Sequence, residues 1–192
     1  VGQQEFFGVP FDMIVQEDNN NKSVIGLRSS KSSTSNQFVE SVVIPVNLKV
    51  DGLYIIHNAA WGTTKNIAKY TWCYEDGTTE AIDITIDKHI YEWWGLGESA
   101  VNPIIWKGRT PEADTFNMGI SLNMFAFVNP EPTKKVTELK CEIASDVAAC
   151  MIVAVTAADF GGKGMFMAER ENPYTPDTDD WYAYELADLE AM

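Results

Sequence analysis

The sequence predicts an all-β protein, an antiparallel two-sheet β-sandwich of jelly-roll type. Three observations carry that prediction. Apolar residues recur with period two along most of the chain. Runs rich in β-branched and aromatic residues are short and bounded by Gly, Pro, Asn and Asp. No convincing amphipathic helical pattern precedes residue 160, so about eight or nine strands divide that stretch.

The elements follow in chain order. The opening VGQQEFFGVPFDM has neither a basic start nor an apolar leader core. Val1 is not an initiator residue, so the chain reads as a mature protein or an excised module. EDNNNK (17–22) and RSSKSSTSNQ (28–37) are polar loops. SVVIPVNLKV (41–50) is a strand, placed at an edge or bulged at Pro45, because proline cannot donate to a ladder. LYIIHNAA (53–60) is a short apolar strand. In AKYTWCY, Ala68, Tyr70, Trp72 and Tyr74 share one face, and in TEAIDITID, Ile82, Ile84 and Ile86 share one. Asp76-Gly77 joins these two runs as a hairpin, with the glycine supplying the positive φ of a tight turn. FNMGISLNMFAF (116–127), KKVTELKCEI (134–143) and AACMIVAVTAA (148–158) complete the strands. The sandwich is expected to end near residue 160. Residues 161–192 form an irregular C-terminal extension, with a short helix over DDWYAYELADLEAM capped by Asp179 or Asp180.

Composition narrows the function. A chain of 192 residues, 45% of them hydrophobic, suits one domain with an appended segment. The formal net charge of -14 argues against nucleic acid, which needs clustered Lys and Arg, and against anionic membrane surfaces. No apolar run is long enough to span a bilayer. Neutral partners remain. Cys73, Cys141 and Cys150 lack zinc-site spacing. Cys141 and Cys150 bracket a turn and are read either as a pair, in an oxidising compartment, or as buried thiols.

Catalytic signatures are missing: there is no GxSxG, HExxH, P-loop or GxGxxG. His57 shares a strand face with Leu53, Ile55 and Ala59 and reads as a satisfied core histidine. His89 reads as a surface residue at the start of an aromatic segment. Carboxylate pairs such as Glu92 with Glu98 are the minimum for glycoside hydrolysis, but 28 acids produce such pairs by chance.

The segment HIYEWWGLGESAVNPIIWKGR (89–109) stands out. It holds Trp93, Trp94 and Trp106 among glycines and a proline. Indole faces stack on the C–H patches of sugar rings while polar neighbours bond the hydroxyls. Arg109, Glu98 and Asn102 are the polar candidates, and Trp61 is a second platform if its loop lies at the same end. Adjacent residues on an extended segment point to opposite faces, so one of Trp93 and Trp94 is expected in the core and the other outside.

Four stretches carry a family likeness: FFGVPFDMI (6–14), VVIPVNLKVDGLYIIHNAAWG (42–62), YTWCYEDGTTEAIDITIDKHIYEWW (70–94) and NPEPTKKVTELK (129–140). Together they resemble a galactose-binding-like β-sandwich module carried in large bacterial proteins that degrade glycans. The likeness covers roughly residues 6–158. It departs at Phe127, where a Trp is expected, and the tail after 160 has no counterpart. The resemblance implies a jelly-roll fold and an extracellular or cell-surface place beside a catalytic glycosidase domain of the same parent chain. It also implies a non-catalytic carbohydrate-binding module for a neutral polysaccharide or oligosaccharide. A structural accessory domain without its own ligand, and a small glycosidase using a carboxylate pair, are the alternatives. No cofactor is required. Sandwiches of this type often hold a structural calcium, for which Asp12, Asp159 and the Asn-rich loop 18–21 are the oxygen candidates.

Overall fold

The computed structural model describes residues 2–31, 38–62, 65–99 and 101–159. The predicted C-terminal extension and its helix lie outside the described residues, as does most of the 28–37 loop. The strands are β1 Gly2–Phe6, β2 Val9–Met13, β3 Ile25–Leu27, β4 Ser41–Leu48, β5 Gly52–Ala60, β6 Asn66–Tyr74, β7 Thr79–Thr85, β8 Ile104–Gly108, β9 Ile120–Val128, β10 Val136–Ile143 and β11 Ala149–Ala158. One short helix, α1 Pro111–Thr115, precedes β9. The protein is all-β, with antiparallel sheets compatible with a β-sandwich of jelly-roll type. One sheet has the order β4-β10-β6-β7 and the other β3-β11-β5-β9-β8, with β1-β2 as a separate hairpin.

The period-two pattern explains the layers. Ala68, Tyr70, Trp72 and Tyr74 of β6 and Leu139 and Cys141 of β10 turn inward from the four-stranded sheet. They meet Leu53, Ile55 and Ala59 of β5 and Phe125 and Phe127 of β9 in one core. Trp72 stacks on Phe127 with ring centroids 4.6 Å apart, a contact of about 0.5–1.5 kcal/mol beyond the burial itself. Strand β5 is buried along its whole length because its other face is covered too. There Tyr54 and Ile56, with Met124 and Ala126, pack under Val9 and Phe11 of the β1–β2 hairpin. That hairpin turns through Phe7 (φ 52°) and Gly8 (φ 77°), the paired positive dihedrals of a tight primed turn.

The β6–β7 hairpin forms as expected, with Gly77 at φ 80°. Asp76 Oδ1 accepts the Thr78 N–H at 3.0 Å and its hydroxyl at 2.6 Å, and Lys134 pairs with Asp76 at 3.0 Å. Ile84 is fully buried, while Ile82 and Ile86 pack against the core from its border. Strand β4 is an edge strand, and the partner register shifts between Val136 and Glu138, with Glu138 opposite Pro45.

Other expectations need correction. Strands number eleven among the described residues, because β1, β2, β3 and β8 escaped the sequence reading. All four are edge or hairpin strands, and β8 is also broken by a bulge between Ile104 and Trp106 that spoils its alternation. The strand expected over 116–127 begins only at Ile120. Before it comes α1, with Thr110 Oγ1 accepting the Ala113 N–H at 3.1 Å and Pro111 in the first turn.

His57 is a satisfied core histidine. Its Nε2 lies 2.8 Å from the His89 carbonyl oxygen, so Nε2 carries the proton. Nδ1 then accepts from the Tyr70 hydroxyl at 2.8 Å, and the Cys150 thiol donates to the Tyr70 oxygen at 3.3 Å. Cys141 and Cys150 are free buried thiols on facing sheets, which settles the pairing question for this structure.

Candidate functional site

The Trp93-Trp94 segment is not a free loop. Strands β5 and β9 pair from Gly52↔Val128 to Ile56↔Met124 and then diverge. Residues 91–95 fill the opening. On one side the Ala59 N–H donates to Tyr91 O at 2.8 Å, and the Trp93 N–H to Ala59 O at 2.9 Å. On the other, Ser121 N–H reaches Trp93 O and Gly95 N–H reaches Gly119 O, each at 2.9 Å. The segment thus satisfies backbone groups that the splayed strands would otherwise leave orphaned.

A buried polar ladder pins it in place. Asn58 Nδ2 donates to Asn123 Oδ1 at 2.9 Å, and the Asn123 N–H returns to Asn58 Oδ1 at 3.0 Å. Asn123 Nδ2 then holds Gly97 O at 2.9 Å and Asn102 O at 3.2 Å. Asn102 is fully buried and gives Nδ2 to His89 O at 2.7 Å. The structure therefore places Asn102 beneath the segment and away from solvent, where it positions backbone. Glu98 is exposed, and its Oε2 accepts the Ile104 N–H at 3.1 Å.

Trp94 faces Ile120 as an antiparallel partner, and the bonds on either side of the pair make it a non-hydrogen-bonded one, the type with close side chains. On the far side of Ile120 its partner is Gly108, and Trp106 pairs with Leu122. Cross-strand partners share a face, so Trp94, Ile120, Gly108 and Trp106 all lie on the outer face of the five-stranded sheet. Leu122 continues that face toward the apolar cluster under β1–β2. The Trp106 ring folds back over Gly108: a Cβ there would stand 2.2 Å from its Cη2 and 2.6 Å from its Cζ2. Only glycine leaves room for the indole to lie down on the sheet.

Trp93 and Trp94 do not divide between core and solvent as alternation requires. The chain bends at Trp93, both residues are half-buried, and their rings sit 6.0 Å apart at 51°. Alternation assumes an extended backbone, which the bend removes. Trp94 also meets Phe116, with centroids 5.5 Å apart. Phe116 is 66% exposed, and Leu96 and Met118 are exposed beside this end of the sheet. Trp94 Nε1 is buried with no acceptor among the described residues.

Trp61, 45% exposed, follows β5 at this same end, where the Gly62 N–H donates to Glu92 Oε2 at 2.8 Å. Burial pushes the Glu92 carboxyl up, against bonds from Gly62 and Trp61 N–H that pull it down. Arg109, next to Gly108, forms an ion pair with Asp114 of α1. The structure thus gathers Trp61, Trp93, Trp94, Trp106 and Arg109 at one end of one sheet. Sequence reasoning missed Phe116, Gly108 and Ile120. The Thr110-Pro111 start signal could have moved Phe116 out of a strand and onto a loop.

The calcium candidates are apart from this site. Asp12 is exposed on β2 and Asp159 is exposed just after β11. Among the described residues, no three His, Cys, Asp or Glu side chains converge to hold a metal ion. No protein-family model, curated protein or solved structure matches the chain.

Proposed function

We propose that the chain is a non-catalytic carbohydrate-binding module that takes a neutral polysaccharide or oligosaccharide on its outer aromatic face. The observation that carries the reading is the placement of Trp94 and Trp106, both half-buried, on one sheet face around Ile120. Flat indoles there offer stacking surface, and Arg109 and Glu98 stand nearby in sequence as partners for hydroxyls. A net charge of -14 disfavours polyanionic glycans, since like charges repel. In this reading the module works outside the cell beside a catalytic glycosidase domain of its parent chain, and any calcium at Asp12 or Asp159 is structural. A second reading is favoured by the exposed Leu96, Phe116 and Met118 that border the indoles. Such surface also suits an accessory domain seated against a neighbouring domain.

Affinity gels and calorimetry with neutral glycans test the first reading. Removing one stacking platform is worth about 1–3 kcal/mol on the scale of base stacking, or roughly 5- to 150-fold in Kd. Trp94→Ala and Trp106→Ala should therefore weaken binding by that range while their melting curves stay cooperative. Folded variants that bind as tightly as the parent would remove this face from consideration.

A further inference from the structure

Resting on the glycan reading, we infer that the site takes an extended uncharged chain laid across the strands, with Trp94 and Trp106 stacking on separate sugars over Ile120 and Gly108 holding the Trp106 indole flat. The register supplies the spacing. Trp94, Ile120 and Gly108 are successive neighbours across three adjacent backbone segments. Strands lie about 4.8 Å apart, so the backbones carrying the two platforms are about 10 Å apart. In an extended β-linked glycan each sugar is about as long as one strand spacing. The row therefore suits stacking on two sugars separated by a third, which would pass over Ile120.

Ile120 fits that middle place. It is only 6% exposed, so it forms a floor between the indoles and leaves their upper surfaces as the contact. Phe116 packs against Trp94, with ring centroids 5.5 Å apart, and adds aromatic surface beside it. Among the described residues, the row between the platforms runs through Ile120 and Gly108, neither of them acidic, whereas the whole chain carries a net charge of -14. An uncharged ligand is the one class that meets neither repulsion nor an unmet need for cationic partners.

Gly108 is a positioning residue in this scheme. A methyl group at its Cβ position would stand inside the Trp106 ring's van der Waals envelope, at 2.2 Å from Cη2. Gly108→Ala must therefore lift the indole from the sheet while leaving the stacking group itself in the chain.

The test is calorimetry of the full chain with cello-, xylo-, manno- and laminari-oligosaccharides, from disaccharide to hexasaccharide. Affinity should rise about tenfold or more between the disaccharide and the tetrasaccharide of the preferred sugar, because only the longer chain engages both platforms. In Trp106→Ala and in Gly108→Ala this dependence on length should vanish, with disaccharide binding almost unchanged. A merely structural role for Gly108 would weaken all lengths alike and would overturn its part. If the parent binds disaccharide and tetrasaccharide equally, the extended site falls and the glycan reading stands. If the folded parent binds none of the four series, both fall. The length series on the parent decides the matter even if Gly108→Ala does not fold.

Discussion

Acidification should expose the buried His57 as a specific weak point. Burial lowers its pKa from 6.5 to about 4. Its two ring nitrogens are already committed, Nε2–H to His89 O and Nδ1 to the Tyr70 hydroxyl, so the neutral form is the one the fold accommodates. Burial also holds the Tyr70 hydroxyl well above its usual pKa, so it remains a donor throughout. A folded pKa below the unfolded value means the stability is intact above pH 6.5. It is lost progressively as pH falls toward 4, where the unfolded chain binds a proton that the folded chain refuses. Between pH 7.5 and pH 4.5 that linkage amounts to about 2–3 kcal/mol. The comparison variant is His57→Gln, which keeps one donor and one acceptor but does not titrate. Urea unfolding of both proteins at the two pH values isolates the effect, since the carboxylates and His89 contribute alike to each. The parent should lose about 2–3 kcal/mol more than the variant. Equal losses would refute the reasoning and would mean that protonated His57 is tolerated in the core.

Further outcomes follow from other parts of the molecule. Gly77→Val should cost about 1–2 kcal/mol, read as a lower melting temperature, because a β-branched residue resists the φ of 80° there. An unchanged melting temperature would mean that the turn re-forms by another route. A thiol reagent should label Cys73 in the native protein, but Cys141 and Cys150 only on unfolding, because the latter two are buried and burial pushes Cys150 up to about 12 and Cys141 higher still. Equal native labelling of all three would contradict the packing of the core. Chelation with EDTA should leave the melting temperature unchanged, given that no three metal-ligating side chains converge among the described residues. A clear fall would point to a cation held through Asp12, Asp159 or residues outside those described.

The sequence by itself determined the layers. Strict alternation in 68–74 and 80–86 marks which side chains face inward, and Asp76-Gly77 fixes the hairpin register, because both are local consequences of backbone geometry. Pro45 restricted β4 to an edge or a bulge for the same reason, since a missing donor has the same effect wherever the strand lies, and the strand is an edge. His57 read correctly as core because its neighbours at two-residue spacing were apolar. The aromatic site was legible only as composition. Trp93 and Trp94 follow no period, since the chain bends between two diverging strands whose separation is set elsewhere. Asn102 resembled a surface donor until Asn123 and His89 O were brought to it from distant parts of the chain. Gly108 carried no local signal, yet what it makes room for is the ring of Trp106 on its own strand. Which polar groups are buried, and which indoles lie together, depended on long-range pairings that a local pattern does not encode. Tertiary structure alone decided those contacts.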